Sequence, residues 1–130
     1  KWLHEQGADM VIGSHPHVVQ PIEYYTSNKD TLGVTVFSLG NFISNQSQQG
    51  TEGGICIRVT LTKPRNYPVR YQMESIKFYM YRPYEEGRRR YYVVPENLAD
   101  SIMKDFHLMK SKNFFKKTDS ILKSTKTFSF

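Results

Sequence analysis

The alternation of apolar and polar positions divides the chain into a run of short strands followed by helices. Residues 9–12, ending in Met10-Val11-Ile12, predict a short buried strand, and residues 20–25 and 34–38 predict two more. The polar Asn/Asp/Gly segment 26–33 reads as the turn of a β-hairpin between them. Residues 54–62 alternate strictly: Ile55, Ile57, Val59 and Leu61 face one way, and Cys56, Arg58, Thr60 and Thr62 the other. That is the pattern of a half-buried antiparallel strand. Residues 63–66 form a turn into a second long strand, 67–81, whose aromatics sit on both faces, while 83–87 interrupts it and 88–94 adds a short strand. From Pro95 the period becomes helical. Leu98, Ile102, Phe106 and Met109 make an apolar stripe with Asn97 as N-cap, and a second helix covers 114–123. There is no internal repeat, and strands followed by two helices predict part of an α/β or α+β layered domain.

Residues 1–6 read as the last turns of a helix that Gly7 terminates as a C-cap, leading into the first strand. A chain that opens inside a helix and without Met is expected to be a piece of a longer polypeptide. With 130 residues and an aromatic complement of 9 Tyr, 8 Phe and 1 Trp, it fits one domain and can bury a core. One cysteine excludes an internal disulfide framework and a Cys-rich zinc module. No run approaches the roughly 18 apolar residues of a membrane span, and no apolar region follows the first five residues as in a signal peptide. Charge is uneven: residues 104–130 carry seven lysines against Asp105 and Asp119, which is +5 of the net +6.

The chemistry concentrates in two stretches. Gly13-Ser14-His15-Pro16-His17-Val18-Val19-Gln20 places two imidazoles two positions apart directly after a strand. An extended backbone would turn both toward one locus, with Pro16 stiffening the segment. Ser38-Leu39-Gly40-Asn41-Phe42 follows the next strand in the same form, an apolar run opening into glycine and a polar residue. The two are expected to be neighbouring strand ends sharing one pocket floor. Neutral imidazoles on a strand-end loop suit zinc, iron or manganese; the alternative is a pair of ordinary loop histidines, one stacked on an aromatic and one solvated. The polar stretch 45–53, leaving from the Gly40-Asn41 corner, reads as a mobile loop bordering the pocket, with a lid role open to it.

At this point the sequence resembles a known family. Residues 7–23, Gly-Ala-Asp-Met-Val-Ile-Gly-Ser-His-Pro-His-Val-Val-Gln-Pro-Ile-Glu, with Phe37-Ser38-Leu39-Gly40-Asn41-Phe42, are similar to the C-terminal part of the bacterial capsule-synthesis CapA family. That family is named for poly-gamma-glutamate capsule synthesis and is related in fold to calcineurin-like metallophosphoesterases. The resemblance is specific over residues 7–42 and fades after about residue 62. It implies a β-sandwich flanked by helices, with residues 1–95 the C-terminal part of that domain and 96–130 a helical basic segment. It also implies that His15 and His17 are ligands of a two-metal centre of divalent ions that drives metal-assisted hydrolysis. The superfamily's other ligands, an Asp-x-His, a further Asp and an Asn-His pair, have no counterpart here, so the site is incomplete and the chain alone is expected to be inactive.

The remaining candidates are weighed against plainer roles. Asn41 is assigned to the pocket floor or to a position behind the metal ligands, together with Ser38 and Gly40. Glu23 could orient a ligand imidazole, but an ion pair with a lysine or arginine is the favoured reading. His4 and His107 are read as surface or cap residues, and Cys56 as a plain buried or half-buried thiol. Arg88-Arg89-Arg90-Tyr91-Tyr92 has the look of a basic-aromatic patch, yet the nearly neutral body argues against nucleic acid as a partner. The lysine-rich tail reads as a solvated helix surface. Two functional roles compete with that: contact with an anionic membrane through Phe114, Phe115, Phe128 and Phe130, or attraction of an acidic polymer. The expected partners are the missing N-terminal half of the domain, an anionic polymer or its synthesis machinery, and a second copy at an uncovered sheet edge. By resemblance, the location is the cell envelope. Two functions follow: a metal-dependent hydrolase-like domain for an anionic capsule polymer, or a non-catalytic scaffold of the same fold in a synthesis or export complex.

Overall fold

A computed structural model of the chain describes residues 1–27, 30–63, 65 and 70–129, excluding the side chains of 27, 30–32, 70, 71 and 129. The predicted turn at 63–66, the start of the strand predicted at 67, the centre of the hairpin turn at 28–29, and Phe130 fall wholly or partly outside that set. The elements are α1 (Trp2–Glu5), β1 (Met10–Ile12), β2 (Ile22–Ser27), β3 (Asp30–Val36), β4 (Gly53–Thr62), β5 (Arg70–Tyr81), β6 (Tyr84–Glu85), β7 (Arg88–Arg89) and β8 (Tyr92–Pro95). After a 3-10 turn at Glu96–Leu98 come α2 (Ala99–Ile102), α3 (Asp105–Lys123) and β9 (Lys126–Ser129). The fold is mixed α/β, as the strand and helix patterns predicted. Among the described residues no helix is long and apolar enough to cross a membrane.

The hairpin forms as expected, β2 and β3 pairing antiparallel from Ile22 opposite Val36 onward. β1 lies parallel to β3, with Met10 opposite Val34 and Ile12 opposite Val36. Parallel pairing puts the carboxyl ends of both strands at one edge, so the histidine loop and the Ser38–Phe42 corner leave the sheet side by side. The four-stranded order is β1-β3-β2-β9, and a second sheet runs β4-β5-β8. The alternation in β4 is borne out: Ile55 is buried and Ile57 and Val59 partly so, while Cys56, Arg58 and Thr60 are exposed. The pattern fades toward the strand's end, where Leu61 stands in solvent. Cys56 is an exposed thiol rather than a buried or half-buried one.

The two sheets share one core with α3. Val34 and Val36 are fully inaccessible and meet Ile55, Val94, Met103, Phe114 and Phe115. Each such side chain stabilises the fold by about 1.5–3 kcal/mol through its burial. The predicted helical stripe is corrected here. Leu98, Ile102, Phe106 and Met109 are all exposed, and the segment breaks at Met103, where extended backbone separates α2 from α3. The buried face of α3 is instead Ser111, Phe114, Phe115 and Thr118. Phe114 and Phe115 are therefore core residues and not membrane contacts, while Phe128 stacks on Tyr25 at 5.6 Å. Nor does the basic segment stay helical to its end, since β9 crosses back to pair with β2.

Lys77 fastens α3 to the second sheet. Its side chain, 13% exposed, pairs with Glu96 at 2.7 Å and with Asp119. Burial pulls the ammonium down, and hydrogen bonds and charge from Asp119 and Glu96 more than offset it, leaving its pKa above the ordinary lysine value. The arginine cluster is divided between elements. Arg88 and Arg89 form β7, and Arg90 pairs with Glu86 at 2.9 Å.

His4 is a packed residue and not a surface one. Nδ1 donates to the Ala8 carbonyl, Nε2 lies 2.8 Å from Thr35 Oγ1, and the ring lies 4.6 Å from that of Tyr25. His107 likewise packs, edge to face on Tyr81. The His4 ring fills the space above Gly33, where an added Cβ would meet Nδ1 at 2.3 Å. Gly33→Ala should therefore displace the ring, break its two hydrogen bonds and destabilise the chain by about 1–3 kcal/mol. Urea denaturation followed by circular dichroism measures this, and an unchanged midpoint would show that the ring yields freely.

Candidate functional site

The histidine segment is a bend and not an extended strand end. His15 has φ 98° and His17 φ 61°, both left-handed, which is uncommon outside glycine although histidine tolerates it better than most residues. Such conformations cost on the order of 1–3 kcal/mol each and persist where the surroundings over-determine them. The bend still brings the two imidazoles together, with ring centroids 6.3 Å apart and planes at 45°. Both rings are solvent-exposed.

The corner that supports them is built by close backbone approach. Gly40, at φ 79°, bridges Gly54, and a Cβ on it would sit 2.7 Å from the Gly53 carbonyl oxygen. Ser38 is buried, its Oγ accepting the Gly40 N–H at 3.3 Å and its carbonyl accepting the Gln20 N–H at 3.1 Å. Val19 bridges Leu39 across the same corner. Ser38 and Gly40 thus shape the backbone, and neither is within hydrogen-bonding distance of an imidazole among the described residues.

Asn41 connects the two stretches. Buried to 7% exposure, it uses its whole carboxamide: Nδ2 donates to Gln46 Oε1 at 2.9 Å and to the Thr51 carbonyl at 3.0 Å, and Oδ1 lies 2.8 Å from His17 Nδ1. A backbone carbonyl cannot donate, so the amide's NH₂ must face Thr51 and its oxygen must face His17. The assigned network therefore puts a proton on His17 Nδ1, and in the neutral ring that tautomer leaves the Nε2 lone pair free.

Glu23 takes neither predicted role. Its Oε2 accepts the Tyr25 hydroxyl at 2.8 Å, with no ion pair to lysine or arginine among the described residues. Burial, followed by this hydrogen bond and the carboxylate's charge, raises the Tyr25 pKa. The 45–53 loop is likewise tied down instead of forming a free lid. Arg82 Nη1 donates to the Gln46 carbonyl at 2.7 Å, Tyr91 donates to Asn45 Oδ1 at 3.1 Å, and Thr51 bonds back to the Gln48 carbonyl. Gln46, Thr51 and Arg82 were not singled out in the sequence, where 45–53 shows only polarity. The available signal was that a buried asparagine needs partners for every polar atom.

An imidazole whose Nδ1–H is held by an oxygen and whose Nε2 is free has the arrangement of a metal-ligating histidine. His17 thus fits as one ligand of a metal centre, with His15 beside it as the second imidazole. The two do not make a whole centre, because no group of three or more His, Cys, Asp or Glu gathers among the described residues. A cleft of about 930 Å³ borders the histidine segment and the 45–53 loop. Val18, Gln49 and Glu52 line it opposite Lys110, Lys116 and Lys117 of α3; neither histidine does.

Residues 1–46 match the family model described as Bacterial capsule synthesis protein PGA_cap. Over 61 residues, 47% of this chain, the sequence is 36% identical to the PGA biosynthesis protein CapA of Bacillus subtilis strain 168 and 33% identical to the Capsule biosynthesis protein CapA of Bacillus anthracis. Those stretches cover 15% and 14% of the two relatives. No solved structure matches. The resemblance to the CapA capsule-synthesis family is borne out over this part of the chain.

Replacing Asn41 by Ala removes three hydrogen bonds and strips a partner from the Thr51 carbonyl. The expected loss of stability is about 2–3 kcal/mol. Thermal unfolding checks it, and a loss under about 0.5 kcal/mol would mean that the corner holds without the carboxamide.

Proposed function

We propose that this chain contributes the histidine-bearing part of a metal-dependent, hydrolase-like domain acting in capsule biosynthesis at the cell envelope, on an anionic polymer or its precursor. The observation that carries this reading is the convergence of the two family-matching stretches on one hydrogen bond, His17 Nδ1 to Asn41 Oδ1. In this reading His15 and His17 hold a divalent metal through imidazole nitrogens, and Asn41 sets the His17 ring so that Nε2 points outward. A divalent ion bound there supplies polarisation of a scissile oxygen and activation of water. The other donors come from polypeptide outside these 130 residues. The lysines of α3 along the neighbouring cleft support an anionic ligand through charge complementarity.

The second reading, a non-catalytic scaffold of the same fold in a polymer-synthesis complex, is favoured by one observation: among the described residues no third His, Cys, Asp or Glu joins the histidine pair.

Zinc titration followed through the imidazole resonances separates the two, with His4 and His107 as internal controls. Saturable shifts confined to His15 and His17, lost in the His15→Ala, His17→Ala double variant, are the expected result. No response at the pair, or an equal response at all four histidines, would leave the scaffold reading standing. With two donors the chain alone should turn over no generic phosphodiester, and turnover by the purified chain would contradict the incomplete centre.

A further inference from the structure

We infer that Gln46 and Arg82 are positioning residues for His17, acting through Asn41. The inference rests on reading His17 as a metal ligand, but the geometry it uses contains no metal. Asn41 would present the wrong atom to His17 if its carboxamide rotated by half a turn: Nδ2 would meet Nδ1, driving the ring's proton to Nε2 and removing the outward lone pair. Two acceptors oppose that rotation, the first because it cannot donate and the second for as long as Gln46 keeps Oε1 toward Asn41. One is the Thr51 carbonyl, held by the turn in which the Thr51 N–H and Oγ1 both donate to the Gln48 carbonyl. The other is Gln46 Oε1, 2.9 Å from Nδ2.

Gln46 is a side chain on an otherwise irregular loop, so its aim depends on what fixes its backbone. Arg82, just beyond β5, supplies this. Its Nη1 donates to the Gln46 carbonyl at 2.7 Å and lies 3.5 Å from that of Ser44, and the Gln46 N–H donates to Ser44 Oγ at 3.1 Å. The Ser44 N–H lies 2.9 Å from Met80 Sδ, a second tie from the loop to β5. The second sheet therefore reaches the histidine on the first through guanidinium, loop carbonyl, glutamine, asparagine and imidazole. An arginine suits this place because its charge never leaves it and the two N–H groups of one guanidinium nitrogen, Nη1, can reach both carbonyls. Metal-ligating histidines elsewhere lose about 10–100-fold in metal affinity when the group behind the ring is removed.

The test is the ring tautomer of His17, read from imidazole ¹⁵N shifts of the 130-residue chain at a pH where the ring is neutral. Zinc affinity at the His15/His17 pair is then measured on the same samples. Wild type should show the proton on Nδ1. Gln46→Leu and Arg82→Met should each bring in the Nε2-protonated form and weaken zinc binding about tenfold or more, and Gln46→Glu, which keeps an acceptor and cannot donate, should restore Nδ1 protonation. Circular dichroism on each variant separates this from loss of fold. Nε2 protonation in wild type, or tautomers unchanged in both Gln46→Leu and Arg82→Met, would overturn the assignment. A tautomer that responds as expected in a chain that binds no zinc would keep the positioning roles and remove the metal reading.

Discussion

The histidine bend depends on one buried carboxamide. Asn41 has no solvent to fall back on, so all its hydrogen-bonding capacity must be met by protein. The three oxygens and nitrogens that meet it belong to the histidine bend and to the 45–53 loop. Removing any of these partners leaves a buried polar group that costs more than the hydrogen bond contributes when made. This demand explains how a segment with two left-handed histidines can hold one shape, and why a stretch with no apolar periodicity is nonetheless ordered.

The sheets serve that corner. Parallel pairing of β1 with β3 delivers both family-matching stretches to the same edge, and the Gly40–Gly54 approach brings the second sheet against them. α3 closes the core from the other side through Phe114 and Phe115, with Lys77 fastening it to β5 through Asp119 and Glu96. The apolar residues Leu98, Ile102, Phe106 and Met109 are left facing outward.

Much of this was legible in the sequence. The hairpin followed from its Asn/Asp/Gly turn, β4 from the alternation of Ile55, Ile57 and Val59, and the proximity of His15, His17 and Asn41 from two like-shaped strand ends. What failed did so for physical reasons. The helical stripe was traced through the larger apolar side chains, whereas the buried face of α3 includes Ser111 and Thr118, polar residues that periodicity counts as exposed. Ser111 can be buried because its hydroxyl is satisfied by the Leu108 carbonyl one turn back. β9 has a basic, threonine-bearing sequence with no strong strand signature, and its partner β2 lies about a hundred residues earlier, a non-local pairing that no local window contains. The 45–53 loop looked free because polarity in a sequence does not reveal whether polar groups face water or one another. Glu23 looked like half of an ion pair because a tyrosine hydroxyl two residues away is not visible as its competitor.

The most direct measurement of the central claim is a double-mutant cycle on Asn41 and His17, using Asn41→Ala and His17→Ala singly and together, with stability read from urea unfolding. If the carboxamide–imidazole bond joins the two stretches, the single effects will not add and the coupling energy will be about 1 kcal/mol. Additivity within about 0.3 kcal/mol would mean that the two side chains are merely neighbours, and the account of the site would lose the joint on which it is built.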